Sequence, residues 1–359
     1  MRRAIVAASM LLLACHTRTA TNAESREPDG AARTAAARPA AAPVTHAADG
    51  TGEGYAAAVG AALVGRRAPE ATLELLDGGH VALADLLGRK PIYLKFWATW
   101  CKPCREQMPH LEAAFHKYGD RVAVYAVDLG LNDPIETVRA FRAEHKLTVP
   151  IAVDGDGSLA ERFGVAVTPL HVLVDRGGVV RYVGHEANAA LDAALDALLG
   201  EGGAPSPPAR RAESAGDALT LTLRDGSTFT LAAHAGKPVA LTFVTTWCDG
   251  YLANTRPAMA EACAAHARQV NALRPSHQGI TWVTVAHPVW TSAEDLDGYV
   301  KRFGDAVPIG IDVRAAWFQH FHVRDVATTI LLDGRGGEVA RVGGRGDDLA
   351  AALARLPAR

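Results

Sequence analysis

Short apolar runs separated by more polar stretches mark the middle of the chain. The runs predict buried strands at residues 92–97, 121–128, 149–153, 171–174 and 179–183. The intervening and following stretches predict helices at about 102–117, 134–145, 157–163 and 187–199. The run 122–127 is apolar throughout, which favours a central strand covered on both faces. This order predicts an α/β fold, a mixed central sheet flanked by helices and ending in an antiparallel hairpin.

The same order of features occurs twice. The segment 90–101, a Lys-Pro pair, an apolar run and a Trp-Cys pair, recurs at 237–248, an offset of 147 positions. The Val-Pro-Ile triplet at 149–151 recurs at 307–309, an offset of 158 positions. Periods of this length are far too long for a solenoid, so the chain is predicted to be a tandem duplication of one domain.

Breaks in composition set the expected domain boundaries. Residues 15–62 are rich in Ala, Pro and Thr without a sustained period, and predict a disordered tether. Residues 201–216 combine Gly and Pro and predict a linker. The two domains are therefore expected at 63–200 and 217–359.

The first residues predict export. Arg2 and Arg3 precede residues 4–14, which are apolar apart from one Ser and too few to span a bilayer as a helix. Residues 1–14 therefore predict a signal peptide. Leu-Leu-Ala-Cys at 12–15 resembles the lipobox of bacterial lipoproteins, in which cleavage before the Cys frees it for lipid attachment. The resemblance implies a lipid anchor on Cys15 and a periplasm-facing location on the inner or outer membrane. The alternative is an ordinary signal peptide cut elsewhere.

Composition narrows the class of protein further. The chain has 359 residues, enough for about two domains with their own cores. Its formal net charge of −2 at pH 7 lacks the basic excess that nucleic-acid binding requires, so no nucleic-acid partner is expected. There are five cysteines, and an odd number in an exported chain needs an explanation.

Cys101 and Cys104 form a Cys-x-x-Cys motif between the first predicted strand of this copy and a helix. A helix N-terminus presents free N–H groups and partial positive charge, which stabilise a thiolate. We expect Cys101, the N-terminal and more exposed sulfur, to attack, and Cys104 to resolve the resulting mixed disulfide. Structural zinc requires four ligands and the chain has no second such motif, so no metal is predicted.

The segment 96–104, FWATWCKPC, contains Trp100 and both cysteines, and resembles the TlpA/ResA group of thioredoxin-fold disulfide reductases. The resemblance covers about 63–200. It implies two tandem thioredoxin-like domains, with a cis-proline at Thr168-Pro169 facing the motif of the first. One position departs from the family pattern, because Gln107 stands where many members carry Glu. Proton transfer by a buried carboxylate is therefore not expected.

The resemblance also implies partners. It implies net reduction of disulfides in client proteins, with apocytochromes as candidates, and a membrane thiol reductase as electron donor, without a cofactor. The motif alone leaves the direction of exchange open, because direction depends on the reduction potential.

The second copy keeps the predicted scaffold and loses part of the motif. Cys248 aligns with Cys101, but Tyr251 holds the resolving position. Residues 326–327, Val-Ala, stand where the first copy has its Thr-Pro pair. The second copy is thus predicted to be a degenerate thioredoxin-like domain.

Two explanations for the remaining cysteines stay open. In one, the second domain serves docking or stability and Cys263 is a buried thiol. In the other, Cys248 stays reactive and pairs with Cys263, forming a second redox site. An unbroken helix would separate the two backbones by about 22 Å. Pro257, however, indicates that the helix is interrupted.

Two other chemistries involve Cys248. Thr245-x-x-Cys248 resembles the peroxiredoxin element and would imply thiol peroxidase activity, although the usual upstream Pro is absent. Cys248 with His320 and His322 resembles Sco-type copper sites, although those use two cysteines. The alternative class of protein is therefore a lipoprotein scaffold whose second domain captures a client or copper.

Overall fold

The first copy builds a five-stranded sheet around a fully buried central strand. The computed structural model describes residues 51–200, 219–343 and 348–356. The strands of the first copy are β1 Thr72–Glu74, β2 His80–Ala82, β3 Ile92–Trp97, β4 Ala123–Asp128, β5 Ile151–Val153, β6 Leu170–Val174 and β7 Val180–Gly184. Five of them pair in the order β5-β4-β3-β6-β7, while β1 and β2 form a separate hairpin. Strand β3 pairs parallel with β4 and antiparallel with β6, which gives the mixed sheet.

Helices cover this sheet on both faces, as the buried residues of β3 require. They are α1 Gly52–Leu63, α2 Lys102–Glu106, α3 Met108–Tyr118, α4 Ile135–His145, α5 Ser158–Phe163 and α6 Ala189–Gly200.

The second copy repeats the topology. Its strands are β8 Thr220–Thr222, β9 Thr228–Thr230, β10 Val239–Val244, β11 Thr281–Ala286, β12 Ile309–Ile311, β13 Thr328–Leu332 and β14 Glu338–Gly343. Its helices are α7 Cys248–Tyr251, α8 Pro257–Leu273, α9 Ala293–Phe303, α10 Ala316–His320 and α11 Leu349–Leu353. The sheet order is β12-β11-β10-β13-β14. The predicted fold class, two tandem thioredoxin-like domains with mixed sheets, is confirmed.

The predicted tether extends too far toward the first domain. Residues 52–63, expected to be disordered, form α1, and the side-chain hydroxyl of Thr51 caps it by accepting from the Gly54 N–H at 3.0 Å. Tyr55 and Val59 lie one turn apart and are buried in the core, and α1 packs against β7. The helix was not predicted because this apolar face rests on few large side chains in an Ala-rich segment.

Other predictions on the N-terminal region lie outside the described residues. These are the signal peptide, Cys15, the tether up to residue 50 and the linker at 201–216. Within the residues that are described, no helix has the length and apolar character needed to cross a bilayer.

The helix predicted at 102–117 is two helices. It breaks at Gln107, which ends α2 and precedes α3. Pro109 sits in the first turn of α3, where its missing N–H is harmless, and it could not continue the ladder of α2.

A buried aspartate begins the same short helix in each copy. Asp154 accepts hydrogen bonds from the N–H groups of Leu159 and Ala160 at 3.0 and 2.8 Å, at the start of α5. Asp312, 158 positions later, accepts from the first turn of α10 at 2.8 and 3.0 Å. Both carboxylates therefore satisfy helix N–H groups that no water reaches.

Asp154→Ala and Asp312→Ala are each expected to destabilise the protein. Each variant leaves two buried N–H groups without an acceptor, at a cost of about 1–3 kcal/mol, which urea unfolding would measure. The matched control is Asp297→Ala, which removes an exposed carboxylate paired with Arg224 and should cost less than about 1 kcal/mol. Equal effects for buried and exposed aspartates would contradict this account of the helix starts.

Candidate active site

The Cys101–Cys104 pair lies between β3 and α2. The two cysteines form a disulfide with an S–S distance of 2.03 Å and a Cα–Cα distance of 5.2 Å. Cys101 is the residue that caps α2, and its Sγ accepts from the Cys104 N–H at 3.2 Å. Pro103 is tolerated in the first turn because its N–H would have no partner inside the helix. The strand-to-helix junction thus holds both sulfurs where free N–H groups favour a thiolate.

The loop before β6 faces the pair of sulfurs. The Thr168-Pro169 peptide bond is cis, and the carbonyl oxygen of Thr168 lies 3.5 Å from Cys101 Sγ. His185 Nδ1 lies 2.8 Å from the Pro169 carbonyl oxygen and supports the loop from β7's end. Trp100 is fixed in turn, because its Nε1 donates to the Leu131 carbonyl oxygen at 2.7 Å. The structure therefore brings together the residues that the sequence assigned to this site, which are Cys101, Cys104, Trp100 and the Thr168-Pro169 pair.

Both sulfurs of the motif and the neighbouring indole are covered. Cys101 is 1% exposed, Cys104 is 0% exposed and Trp100 is 2% exposed. The physical reason is that the second copy packs over this end of the first sheet, and one continuous apolar cluster includes residues of both copies. We call residues 247–256, which lie directly over the motif, the capping segment.

The capping segment contacts the motif by an aromatic pair and a hydrogen bond. The rings of Trp247 and Trp100 lie with centroids 4.6 Å apart. Tyr251, which occupies the resolving position of the second copy, accepts through its hydroxyl from the Lys102 N–H at 2.8 Å. An element of the second copy therefore satisfies an N–H group at the first turn of α2.

Arg256 ends the capping segment and reaches into the first copy. Its guanidinium donates to the Asn132 carbonyl oxygen at 3.0 Å and to Asp133 Oδ1 at 3.1 Å, and it also donates to Thr99. Burial raises the pKa of Asp133, while its hydrogen bonds from Thr99 and the charge of Arg256 act in the opposite direction. An unpaired carboxylate here would be costly, so Arg256 supports the ionised form.

A second polar contact lies beside the first. Arg324 donates to the Asp154 carbonyl oxygen at 2.8 Å, and its own carbonyl accepts from the Asn132 N–H at 2.7 Å. The Val326 N–H donates to Asn132 Oδ1 at 2.8 Å. Asn132 is 1% exposed, so these bonds hold the two copies together away from water.

Lys95 lies beneath the motif on β3. It is 0% exposed, and its Nζ donates to the Cys104 carbonyl oxygen at 3.3 Å. Burial lowers the pKa of Lys95 to about 7. A neutral amine is therefore available close to the resolving cysteine near neutral pH.

Gln107, the position that departs from the family pattern, takes part in a series of hydrogen bonds that leads into the core. Its Oε1 lies 2.9 Å from His171 Nε2, and His171 Nδ1 lies 2.8 Å from the Tyr93 hydroxyl. Burial lowers the pKa of His171 well below its usual range, so the ring is uncharged. At the outer end of these hydrogen bonds, Gln107 Nε2 donates to the exposed carboxylate of Glu186 at 3.0 Å. Lys95 is the buried amine next to the motif.

Cys248 and Cys263 also form a disulfide, with an S–S distance of 1.95 Å and a Cα–Cα distance of 6.2 Å. The backbones approach because α7 ends at Tyr251 and α8 begins at Pro257. The Val326-Ala327 peptide bond is cis, and the Val326 carbonyl oxygen lies 3.8 Å from Cys263 Sγ. Cys263, rather than Cys248, therefore faces the loop that corresponds to Thr168-Pro169.

The copper and peroxide interpretations find no support in this geometry. Cys248 is 0% exposed and bonded to Cys263, whereas His320 and His322 are exposed. Across the described ranges, no three His, Cys, Asp or Glu side chains are grouped in a way that would hold a metal ion.

Sequence reasoning missed three functional positions. Lys95 carried a signal, since it is the one charged residue within the apolar run 92–97. Arg256 carried none, because its partners come from the other copy, and Asp133 carried none, because it accepts from Thr99 of its own copy and from Arg256 of the other.

The fold and the dithiol define a thioredoxin-like protein with one redox motif of the Cys-x-x-Cys type, and comparison with known proteins places it more narrowly. Residues 64–183 match the AhpC/TSA family model. The chain is 38% identical over 135 residues to the thioredoxin-like protein YneN of Bacillus subtilis strain 168, covering 37% of this chain and 78% of that protein. It is 35% identical over 124 residues to the thiol-disulfide oxidoreductase ResA of Geobacillus thermodenitrificans strain NG80-2, covering 34% of this chain and 70% of that protein.

A solved structure is similar over the same length. The putative thiol:disulfide interchange protein DsbE of Chlorobium tepidum is 30% identical, with a TM-score of 0.34, covering 37% of this chain and 95% of that one. The chain belongs to the thioredoxin-like family of thiol–disulfide oxidoreductases that includes YneN and ResA.

Lys95→Met is expected to stabilise the protein at pH 7 by a few kcal/mol, as measured by urea unfolding. The unfolded chain binds a proton at Lys95 up to about pH 10.5, whereas the folded chain releases it near pH 7. Folding therefore releases a proton between about pH 7 and pH 10.5. The free energy of unfolding of the wild-type protein consequently rises with pH across that window. The stabilising effect of Lys95→Met should be largest at pH 7 and fade toward pH 10.5.

The matched control is Lys301→Met, at an exposed position on α9. It should leave the pH dependence of stability unchanged. A Lys95→Met effect that did not vary with pH would show that the amine keeps its proton in the folded state.

Proposed function

We propose that this protein is an envelope thiol–disulfide oxidoreductase that reduces disulfides of client proteins. The observation that carries the proposal is the Cys101–Cys104 pair at the start of α2, with the Thr168 carbonyl oxygen 3.5 Å from Cys101 Sγ. The loop at Thr168-Pro169 lies beside this sulfur, and an extended client segment can pair along its backbone.

The reaction is a transfer of two electrons by thiol–disulfide exchange. The Cys101 thiolate attacks one sulfur of the client disulfide, forms a mixed disulfide and expels the second client sulfur as a thiolate, which takes up a proton. Cys104 then attacks Cys101 Sγ, so that the Cys101–Cys104 disulfide forms and the client leaves as a dithiol. Each turnover leaves the motif oxidised, and a dithiol reductant must restore it.

We assign Lys95 as the base that accepts the proton of the Cys104 thiol. Cys104 attacks only as a thiolate, so its proton must pass to a base during resolution. Lys95 supports this role because it is buried under the motif, because its Nζ lies 3.3 Å from the Cys104 carbonyl oxygen, and because burial lowers its pKa to about 7. A base with a pKa near the working pH is best suited to proton transfer.

Location and partners complete the proposal. The apolar run at 4–14 and the lipobox-like residues 12–15 support export and attachment through a lipid on Cys15. The resemblance to the TlpA/ResA group favours a membrane thiol reductase as electron donor and apocytochromes among the clients.

Cys101→Ser is expected to lower reduction of insulin disulfides, with dithiothreitol as reductant, to the rate without protein, because the attacking sulfur is gone. Cys104→Ser should instead accumulate a mixed disulfide between Cys101 and a client, since nothing resolves it, and mass spectrometry of the trapped species would name the client. Cys15→Ser is the matched control and should keep wild-type activity. If Cys101→Ser retained activity, the oxidoreductase assignment would fail and a binding protein would be the better account.

A further inference from the structure

The attacking sulfur of the proposed reaction is covered. Cys101 is 1% exposed, and the capping segment lies over it through Trp247, Tyr251 and Arg256. A client disulfide carried on a protein backbone cannot reach a sulfur in this state. The proposed reaction therefore requires the capping segment to move.

The second disulfide holds the segment that must move. Cys248 and Cys263 close a loop that contains Tyr251 and Arg256, and Trp247 directly precedes it. Within that loop, α7 has only four residues and α8 does not begin until Pro257. A segment with so little regular structure depends on its covalent link for its position.

We propose that Cys248–Cys263 is a second redox site, at which reduction by a dithiol releases the capping segment and uncovers Cys101. The inference rests on the proposed function, since the uncovered group is the proposed nucleophile. A protein dithiol and a small-molecule dithiol carry out the same exchange chemistry.

The second disulfide is nearest to solvent at Cys263. Cys263 is 8% exposed and Cys248 is 0% exposed, so the attack falls on Cys263. Asp249 and Phe303 line both a small cavity at Cys263 and an open groove of about 370 Å³. Ala260 and Ala264, close to Cys263 along α8, border the same groove. This groove, whose lining includes Asp249 of the capping segment, is the route that we assign to a reductant approaching Cys263.

The electrons balance in this step. A thiolate of the reductant attacks Cys263 Sγ, the S–S bond breaks, and Cys248 leaves as a thiolate that takes up a proton. The second thiol of the reductant then displaces Cys263, which also ends as a thiol. The reductant is oxidised to a disulfide by two electrons, and the chain gains two thiols.

The arrangement in the second copy parallels the first. Cys263 Sγ lies 3.8 Å from the Val326 carbonyl oxygen, as Cys101 Sγ lies 3.5 Å from that of Thr168. Each disulfide thus presents one sulfur to the loop before the antiparallel strand. A disulfide that only braced the fold would not need this placement.

The test measures access to Cys101 rather than catalysis. In full-length Cys104→Ser, Cys101 is a free thiol, and its rate of alkylation by iodoacetamide can be followed peptide by peptide by mass spectrometry. Adding Cys248→Ser and Cys263→Ser removes the second disulfide and should raise that rate about tenfold or more, since labelling follows the population of the open form. Adding Trp247→Ala and Arg256→Gln instead keeps the disulfide and should raise the rate similarly.

Arg268→Gln is the matched control, because Arg268 lies on α8 and pairs with the exposed Glu261 away from the motif. It should leave the rate unchanged. An unchanged rate without the second disulfide, while the Trp247 and Arg256 variant labels fast, would overturn the proposal, because the cap would then not depend on the disulfide. Fast labelling of Cys101 in the Cys104→Ser variant, in which the capping segment and its disulfide are unchanged, would overturn it as well.

A second arm tests reduction itself. Folded wild-type protein treated with dithiothreitol should show Cys248–Cys263 opened, with Cys263 alkylated, while its far-ultraviolet circular dichroism, which reports the helices and strands, stays native. If Cys248–Cys263 remained oxidised until the protein unfolded, it would be a brace and the proposal would fail. Neither arm needs client turnover, so these outcomes are separate from loss of activity in Cys101→Ser.

Discussion

The packing of the second copy on the sulfur-bearing end of the first is the contact on which the rest of the structure depends. It pairs Trp100 with Trp247 and places the partly exposed Arg256 against the fully buried side chain of Asp133. Apolar burial supplies most of the stabilisation, and the charged pair and the bonds of Asn132 determine the orientation. Because of this packing, both sulfurs of the motif are buried.

Duplication explains how the same scaffold carries the redox motif in one copy and covers that motif in the other. Both copies keep the mixed sheet and the buried aspartate that begins the short helix, Asp154 or Asp312. They differ where the central strand, β3 or β10, meets the following helix, α2 or α7. The first copy has two cysteines three positions apart there, and the second has Cys248 followed by Tyr251, whose hydroxyl meets the first copy. The loss of a resolving cysteine therefore coincides with the gain of a contact.

Much of the fold could be predicted from the sequence, because it follows from local patterns. The apolar runs predicted the five strands of the first central sheet to within two residues but not the hairpin β1–β2, and the repeat predicted the second sheet. The helix α1 was missed, because its buried face rests on only a few residues such as Tyr55 within an Ala-rich stretch. The two cysteines of the motif and the loop at Thr168-Pro169 were found because a family pattern carries them.

The buried state of Cys101 could not be predicted, and neither could the role of Arg256. Both arise from contacts between residues more than a hundred positions apart, in separate copies, and no local pattern encodes such a contact. The pairing of Cys248 with Cys263 was left open for a related reason, since it depends on where the chain bends between Tyr251 and Pro257.

The backbone amide of Asn132 offers the most direct test of the docked arrangement. Its N–H donates to the Arg324 carbonyl oxygen at 2.7 Å across the two copies, and the residue is 1% exposed. Hydrogen–deuterium exchange of this amide in the oxidised protein should be slow, comparable with the amides of β3, because exchange requires the copies to separate. Exchange as fast as that of an exposed loop amide would mean that the second copy does not cover the motif in solution, and the account would fail.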